Sequence, residues 1–476
     1  MKKNFFLTAA LMTMYFSWFL SFPYFGSILT FVSGSYIVDG NQVTLTFTLF
    51  HALGFLSGAL FLKNNSLWKS CIIFSLAMLI TLNMMLLLLP SILWIPLMAL
   101  IGLISSLFIL GWSVLFSTFS TLEKIQLYAA SLFGANLFNL SLLFFSNHFS
   151  AEVLLLTINL PLAVAFILFL YKKPVIKKDI YGWDSVKEFF PTRLVSLLFI
   201  VTFLLHFSFG FMFAVVDSSF SFMEYNTFAS TYFRYIPYLL TCILICLSAS
   251  LVKLRYLVYA AISLFGLAYA FFALFDQAPA GFFLTSSMVE SAVVILSVCV
   301  WVALGDLSFD HKVPYRFFGF GLFTTLLGVF AGGALGSYLL ATGAIPVLTA
   351  ALAAIAIIFV ALLAFPWLLD NIGKVLPAIM EKDSLPPPLD PLAELDAIYK
   401  KAGLTEREIE IANQLCQGHT NRKIAETLYI TENTLKTHLK KIYSKLGVRR
   451  KSELISKLAN RSLPEVPSKS MFEKQL

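Results

Sequence analysis

Long apolar runs recur through the first 370 residues of the chain, with short polar loops between them. A helix that crosses a bilayer needs about 20 mainly apolar residues. Only 13% of the residues are charged and 59% are hydrophobic, whereas soluble domains have about 25% and 45–50%. The sequence therefore predicts an all-α, polytopic membrane bundle of twelve helices: Phe5–Phe25, Val43–Leu62, Leu67–Leu89, Leu93–Phe116, Leu127–Phe145, Val153–Tyr171, Leu194–Val216, Phe228–Ser250, Leu254–Phe275, Phe282–Leu304, Phe317–Leu340 and Ile345–Leu369.

The loops between these segments differ in charge. Cytoplasmic loops of membrane proteins carry an excess of Lys and Arg. Apart from Arg234, near or inside the eighth segment, basic residues fall at the N-terminus, at every even-to-odd connection and at the exit of the last segment: Lys2, Lys3, Lys63, Lys69, Lys124, 172–193, Lys253, Arg255, Lys312, Arg316, Lys374 and Lys382. We therefore predict a multi-pass protein of a bacterial cell membrane with both termini in the cytoplasm.

The longest inner connection divides the twelve segments into halves, at about 1–171 and 192–370. This layout, with both termini inside, resembles the major facilitator superfamily, which implies two six-helix halves around a central cavity. The resemblance rests on topology over roughly residues 1–370. The loop 58–69 lacks the acidic residue and the arginines that the family usually has between its second and third helices, which argues against coupled transport.

Ionisable residues at membrane depth are candidate functional residues, because burying them is costly. Arg234 and Glu290 could pair with each other across the bundle, or bind a charged ligand. His51 and His206 could contact a ligand, or could be hydrogen-bonded packing residues. Gly328, Gly332 and Gly336 lie at four-residue spacing, which predicts a close contact between two helices. Cys242 and Cys246 would share one helix face, but no histidine or carboxylate lies nearby to complete a ligand set, so no metal site is predicted.

The composition changes at 371–403, a polar segment that contains Pro386–Pro388 and Pro391. Such segments are stiff and extended, and we predict a cytoplasmic linker here. From Lys400 to Arg461 there are 14 basic and 6 acidic residues, which leaves 20 of each in the rest of the chain. The net charge of +8 therefore belongs to this C-terminal part and indicates a polyanionic partner.

Residues 404–460 have the pattern of four short helices, followed by a tail over 461–476. Thr405 and Glu408 have the spacing of a capping box. Thr431 is expected to cap a third helix that ends at Gly447. Apolar residues recur at helical intervals and form a predicted core: Ile409, Ala412, Leu415, Cys416, Ile424, Ala425, Leu428, Leu435, Leu439, Ile442, Leu446, Leu454, Ile455 and Leu458. This pattern predicts a small four-helix helix-turn-helix domain.

The polar face of the predicted third helix carries charges of one sign: Thr434, Lys436, Thr437, Lys440, Lys441 and Lys445. A charge run usually indicates only a solvated helix face. Here it lies on a capped helix that follows a tight two-helix unit, which favours double-stranded DNA as the partner. An α-helix fits the major groove, where its side chains reach base edges and its lysines reach phosphates.

Four motifs cover this domain: Leu404-Thr-x-Arg-Glu, Gly418-x-Thr-Asn-Arg-Lys-Ile-Ala, Leu428-x-Ile-Thr-x-x-Thr-Leu-Lys-x-His438 and Lys445-Leu-Gly-Val448. Together they resemble the LuxR-type helix-turn-helix family. The resemblance implies that the third helix enters the major groove with Lys436, Thr437 and Lys440 facing bases, and that the fourth helix helps a homodimer form on inverted half-sites. It implies that His438 packs or contacts the DNA backbone, and that further residues hold that backbone: Asn421, Arg422, Lys423, Thr431 and Thr434.

The family's usual receiver or signal-binding domain has no counterpart in this sequence. We therefore predict a membrane-bound one-component transcription regulator whose bundle senses an unknown small molecule or a state of the membrane. The alternative is a transporter of the major facilitator type with an attached regulatory domain that binds DNA or protein. The sequence contains no catalytic constellation, so neither an enzyme nor a cofactor is predicted.

Overall fold

The computed structural model of the protein describes residues 2–174, 193–219, 232–343, 349–363, 399–448 and 453–454, apart from short gaps at 25, 37, 63, 147, 173, 276–277, 312–313, 350, 361–362, 400–401 and 417–418. The chain divides into two compact units, Met1–Met380 and Glu381–Leu476. In the described residues both units are helical. The predicted boundaries of the linker fall largely outside the described residues and stay a prediction.

The N-terminal unit is a bundle of fourteen described helices. The first eight are α1 (Lys2–Ser21), α2 (Ser27–Tyr36), α3 (Gly40–Phe61), α4 (Trp68–Leu88), α5 (Trp94–Phe116), α6 (Thr121–Ser146), α7 (Ala151–Thr157) and α8 (Asn159–Lys172). The others are α9 (Arg193–Ser219), α10 (Tyr235–Ser248), α11 (Leu254–Leu274), α12 (Pro279–His311), α13 (Pro314–Thr342) and α14 (Ala351–Val360).

Each of the twelve predicted apolar segments overlaps one or two of these helices. Among the described residues nine helical segments are long and apolar enough to cross a membrane, and α10 and α14 are shorter. The count of twelve spans therefore stays a prediction. The short helix α2 was not predicted, because its ten residues mix Ser and Thr with apolar residues and are too few to span a bilayer.

Local signals in the sequence explain where several of these helices begin. The Oδ1 of Asp39 accepts hydrogen bonds from the backbone N–H groups of Asn41 (2.9 Å) and Gln42, which caps α3. Proline is the first residue of both α12 and α13, the position where its missing N–H has no helical partner to lose. These residues therefore set where α3, α12 and α13 begin.

Helices α9 and α13 are in backbone contact along a row of glycines. A Cβ on Gly328 would lie 2.6 Å from the carbonyl oxygen of Phe203, and one on Gly332 would collide with the carbonyl of Phe207. From α9, Gly210 faces the backbone of α13 in the same way. The small-residue spacing in α13 therefore has the packing role that the sequence predicted.

The C-terminal unit contains α15 (Glu406–Cys416), α16 (Asn421–Thr427) and α17 (Glu432–Leu446). Its core includes the predicted apolar residues of α16 and α17, together with Tyr399, Leu404, Ile411 and Val448. In α15 the predicted Ala412 and Leu415 are buried and Ile409 packs partly buried against this core, whereas the sequence analysis missed Ile411, which is fully buried. Of the predicted fourth helix only 453–454 are described; Leu454 is buried in this core, and Ile455 and Leu458 lie outside the described residues.

Candidate nucleic-acid interface and membrane polar sites

Helix α17 is held at both ends by the residues that the sequence assigned to it. The hydroxyl of Thr431 accepts a hydrogen bond from the N–H of Thr434 (3.1 Å), as an N-cap does. At the other end Gly447 has φ 62° and the N–H of Val448 donates to the carbonyl of Tyr443 (2.9 Å), which is a Schellman ending. The stretch that carries the candidate DNA contacts therefore lies in a helix that is capped at both ends.

The candidate base-reading residues share the face of α17 opposite its core. Lys436, Thr437 and Lys440 are exposed, and so is Lys441 beside them. Leu435, Leu439, Ile442 and Leu446 are buried on the other side of the helix. The hydroxyl of Thr437 donates to the carbonyl of Asn433 (3.1 Å). This face presents three ammonium groups and a threonine within about two turns, at the spacing of a major-groove helix.

The candidate backbone contacts lie at the starts of α16 and α17. Thr420 caps α16 by accepting from the N–H of Lys423 (3.3 Å), and Asn421, Arg422 and Lys423 are exposed in the first turn. Arg422 pairs with Glu426 at 3.1 Å, an exposed pair within one helix that contributes little to stability. Helix N-termini with exposed N–H groups and cations are suited to phosphate.

The turn between α16 and α17 presents an unusual residue. Tyr429 has φ 53°, a left-handed conformation that is rare for a side chain of this size, and it is 96% exposed. The carbonyl of Ala425 accepts from the N–H of Ile430 (3.0 Å), which closes the turn. The exposed hydroxyls of Thr431 and Thr434 lie 2.8 Å apart just beyond it.

Lys445 is exposed like the other lysines of α17, but its ammonium is bonded within the unit. Its ammonium donates to Glu408 Oε2 (2.7 Å) and to the carbonyl of Gly403 (2.8 Å). Lys445 lies four positions after Lys441, which at 3.6 residues per turn is a net rotation of about 40°, so it lies at the edge of the same face. This lysine therefore also joins α17 to Glu408 of α15 and to the segment before that helix, which the sequence analysis did not predict.

Glu408 is the other half of that contact and also completes the predicted capping box. Its Oε2 accepts from the N–H of Thr405 (2.9 Å), and its own N–H donates to the hydroxyl of Thr405. Burial raises the pKa of Glu408, but the hydrogen bonds and charge of Lys445 and Thr405 outweigh that effect, and the net pKa is below its usual value. The carboxylate is thus held ionised inside the domain.

Two further polar residues of this unit, His438 and Arg407, are half-buried. The Nδ1 of His438 has no hydrogen-bond partner among the described residues. Arg407 is bonded to Glu410 (2.6 Å) and to the carbonyl of Leu428 (2.5 Å), so it joins α15 to the end of α16. The motif residue Arg407 is thereby a structural link within the unit.

In the bundle, both candidate histidines have hydrogen bonds to protein atoms. His51 Nδ1 lies 3.0 Å from the carbonyl oxygen of Gly102 and 2.7 Å from the hydroxyl of Ser105, which joins α3 to α5. His206 Nδ1 lies 2.8 Å from the carbonyl oxygen of Thr202 in its own helix. Both are buried, and these contacts support the packing interpretation.

Arg234 and Glu290 line one small cleft, with Met212, Phe213, Ser286 and Val289. The Arg234 guanidinium lies 5.1 Å from the centre of the Phe213 ring, within the range of a cation–π contact. The structure therefore brings together the two charged residues that the sequence analysis had left as either a pair or a ligand site.

One charged cluster of the bundle was missed. The Lys124 ammonium lies 2.5 Å from Asp306 Oδ1, and the hydroxyl of Thr121 donates to Asp306 Oδ2 (2.9 Å). The side chains of Lys124 and Asp306 are 2% and 11% exposed. The sequence analysis had placed Lys124 in the connection before the fifth segment, whereas the structure has it buried in the first turn of α6. Its position just after a loop gave no signal of a partner 182 residues away.

Comparison with known proteins gives separate matches for the two units. Residues 402–458 match the family described as bacterial regulatory proteins, luxR family. Over 60 residues the chain is 47% identical to the transcriptional regulatory protein LnrK of Bacillus subtilis, which is 13% of this chain and 27% of that protein. Over 57 residues it is 44% identical to the CsgBAC operon transcriptional regulatory protein of Escherichia coli, which is 12% and 26%. The chain thus matches about a quarter of the length of these relatives.

The bundle is similar to solved transporters in fold. The human organic anion transporter MFSD10 aligns with a TM-score of 0.56 at 13% identity, over 76% of this chain and 97% of that one. A bacterial homologue of the iron transporter ferroportin, in its outward-facing state, aligns with a TM-score of 0.55 at 13% identity, over 78% and 99%. Residues 402–458 therefore belong to a helix-turn-helix domain that matches the luxR family of bacterial regulatory proteins, joined in one chain to a helical bundle with the fold of these solved transporters.

Proposed function

We propose that this protein is a membrane-bound one-component transcription regulator, in which the bundle senses a signal and the C-terminal domain binds DNA. The observation that carries the proposal is the fusion itself. A LuxR-family domain with an exposed cationic recognition face continues from a bundle of transporter fold. Because both functions lie in one chain, no separate sensor protein is required.

On DNA, α17 enters the major groove with Lys436, Thr437 and Lys440 toward the bases and Lys441 toward a phosphate. The first turn of α16 (Asn421, Arg422 and Lys423) and the start of α17 (Thr431 and Thr434) hold the sugar-phosphate backbone. All of these residues are exposed, which supports the assignment. Two copies bind as a homodimer on inverted half-sites, as the LuxR resemblance implies.

The loop charges support a location in the cell membrane with both termini cytoplasmic. Without Lys124, basic residues remain in the other even-to-odd connections and at the exit from the bundle, which keeps the same orientation. This orientation places the DNA-binding domain on the side of the chromosome. A small molecule that binds two conformations of the bundle with different affinity would shift their populations. The cleft at Arg234 and Glu290 is the candidate site for it.

The DNA-binding part is tested with the full-length protein in lipid nanodiscs. Footprinting should protect an inverted repeat, and affinity should fall steeply with salt. The double variant Lys423→Ala with Lys441→Ala should reduce the salt slope by about 2, since each lysine contact to a phosphate contributes about 1. The double variant Lys69→Ala with Lys172→Ala, which changes two exposed lysines of the bundle, is the charge-matched control. Binding that does not respond to salt or to the change of Lys423 and Lys441 rules the proposal out.

A transporter with an attached regulatory domain is the second candidate, because the bundle spans 97% of the length of a transporter fold. Uptake of a labelled organic anion into proteoliposomes, abolished by Glu290→Gln or Arg234→Gln and retained by Lys69→Ala, would favour it. Absence of uptake across a panel of anions, with intact DNA binding, would favour the regulator.

A further inference from the structure

The two halves of the bundle meet at one end through side chains of α6 and α12. Lys124 lies in the first turn of α6, and Asp306 lies in the last two turns of α12. Their ion pair therefore joins the first half (α1–α8) to the second half (α9–α14). It lies beside the α5–α6 and α12–α13 connections.

Other contacts between the halves cluster at the same end. The ring of Trp301, about one turn before Asp306, stacks on Tyr128 with centroids 4.8 Å apart and also contacts Phe16 and Phe116. The thiol of Cys246, near the end of α10, lies 3.8 Å from the carbonyl oxygen of Gln126 in α6. This end of the bundle is therefore closed around the ion pair.

The burial of the pair makes its energy depend on the separation of the halves. When the halves are together, each charge is out of water and is compensated by the other, and Thr121 supplies a further hydrogen bond to Asp306. When the halves separate at this end, water solvates both groups. Loss of one partner leaves an uncompensated charge only in the closed arrangement, so it penalises that arrangement selectively.

We propose that Lys124, Asp306 and Thr121 form an ionic lock that holds the two halves closed at this end, and that the signal acts by opening it. The first part depends only on the contacts within the bundle. The second part rests on the proposed function, because it requires that a change in the bundle reaches the DNA-binding domain.

The lock is tested by the reactivity of two native thiols in full-length protein in nanodiscs, with the other cysteines replaced by serine. Cys246 is half-buried at the contact between the halves, and Cys71 is buried between α4 and α5 within one half. In Asp306→Asn, a maleimide should label Cys246 at least about tenfold faster, since a shift of that size follows from a modest change in population. Cys71 should be labelled at the unchanged rate.

The charge-swapped variant, Lys124→Asp with Asp306→Lys, should return the labelling of Cys246 toward the wild-type rate. Fast labelling of Cys246 in the swapped protein, or no acceleration in Asp306→Asn, would overturn the lock. If Asp306→Asn accelerates both thiols, Thr121→Val decides the matter, because it removes one hydrogen bond and leaves the ion pair. It should then accelerate Cys246 alone, by a few-fold at most, and an unchanged rate rejects the lock.

The coupling to DNA is measured separately, by chromatin immunoprecipitation of tagged full-length protein. Asp306→Asn should change occupancy at the sites bound by wild type by at least about threefold, in line with the shifted population. Accelerated labelling with unchanged occupancy leaves the lock in place and refutes the coupling. Absence of bound sites for the wild type instead refutes the proposed function.

Discussion

In each unit a lysine forms an ion pair with a carboxylate that is distant in the sequence. In the DNA-binding domain Lys445 binds Glu408, with side chains 34% and 3% exposed. In the bundle Lys124 binds Asp306, with side chains 2% and 11% exposed. The first lysine keeps contact with water and the second does not. Loss of one partner should therefore lower the free energy of unfolding more in the bundle than in the small domain.

This difference reflects how each unit is solvated. Among the described residues of the small domain, Glu408 is the only charged residue that is buried, and the other charged side chains are exposed or half-buried. The bundle presents large apolar residues such as Phe61 and Leu88 on its outside, as expected of a lipid-facing surface. Its charges must be compensated inside, where removal of one partner is strongly destabilising.

Replacement of Asp306 by Leu should have the largest effect, a loss of about 3–5 kcal/mol in the free energy of unfolding, because Lys124 is left buried without a counter-charge. This loss is measured by titrating the full-length protein in mild detergent with SDS and recording the unfolding transition. The double variant Lys124→Met with Asp306→Leu removes both charges and should recover most of the loss. A loss below about 1 kcal/mol for Asp306→Leu, the size of a surface pair, would mean that water reaches this site.

Gly332→Ala should have the next largest effect, up to about 3 kcal/mol, because overpacking forces helix backbones apart. Its Cβ would collide with the carbonyl of Phe207. The adjacent Gly333→Ala is the matched control, since its Cβ would have 3.8 Å to the nearest atom, the carbonyl oxygen of Gly210. Equal SDS stability of the two variants would contradict the close contact of α9 and α13.

Glu408→Gln should have a smaller effect, about 1.5 kcal/mol, the typical contribution of a hydrogen bond to a charged group. Hydrogen exchange of the amides of α15 and α17 in the full-length protein measures the loss. Glu410→Gln is the control, because the pair of Glu410 with Arg407 is exposed and should contribute little. Similar exchange in both variants would mean that Lys445 does not stabilise the domain.

The same pair predicts how the domain responds to acid. Because the pKa of Glu408 is lowered in the folded state, its contribution to stability is fully present above its unfolded pKa, about 4.3. That contribution is lost as pH falls through the lower folded value. The protection factors of the amides in α15, which correct the exchange rates for their intrinsic pH dependence, should therefore fall below about pH 4 in the wild type, and less so in Glu408→Gln. An acid response that is the same in both would exclude Glu408 as its source.

The features that could be predicted from the sequence are local. Thr405 with Glu408, Thr431 and Gly447 each act within a few residues along the chain, so their spacing alone indicated caps and a helix end that the structure contains. The apolar segments of the bundle were likewise visible as continuous runs. The exposed face of α17 followed from helical periodicity, which places Lys436 and Lys440 opposite Leu435 and Leu439.

The features that could not be predicted depend on contacts between distant residues. Lys124 follows a short loop and resembles a loop cation, and only the fold brings it to Asp306. Lys445 resembles another lysine of the recognition face until Glu408 and Gly403 are placed beside it. His51 could not be separated from a ligand-binding residue because its partners, Gly102 and Ser105, lie in another helix.

The hydrogen bond from the hydroxyl of Thr437 to Asn433 has a consequence for the operator sequence. Because that hydroxyl is satisfied within its own helix, the group that Thr437 presents outward is its methyl. A methyl group in the major groove pairs best with the C5-methyl of thymine. We therefore expect a thymine at the base step beside Thr437 in each half-site, and we expect uracil, which lacks that methyl, to weaken binding at this step alone.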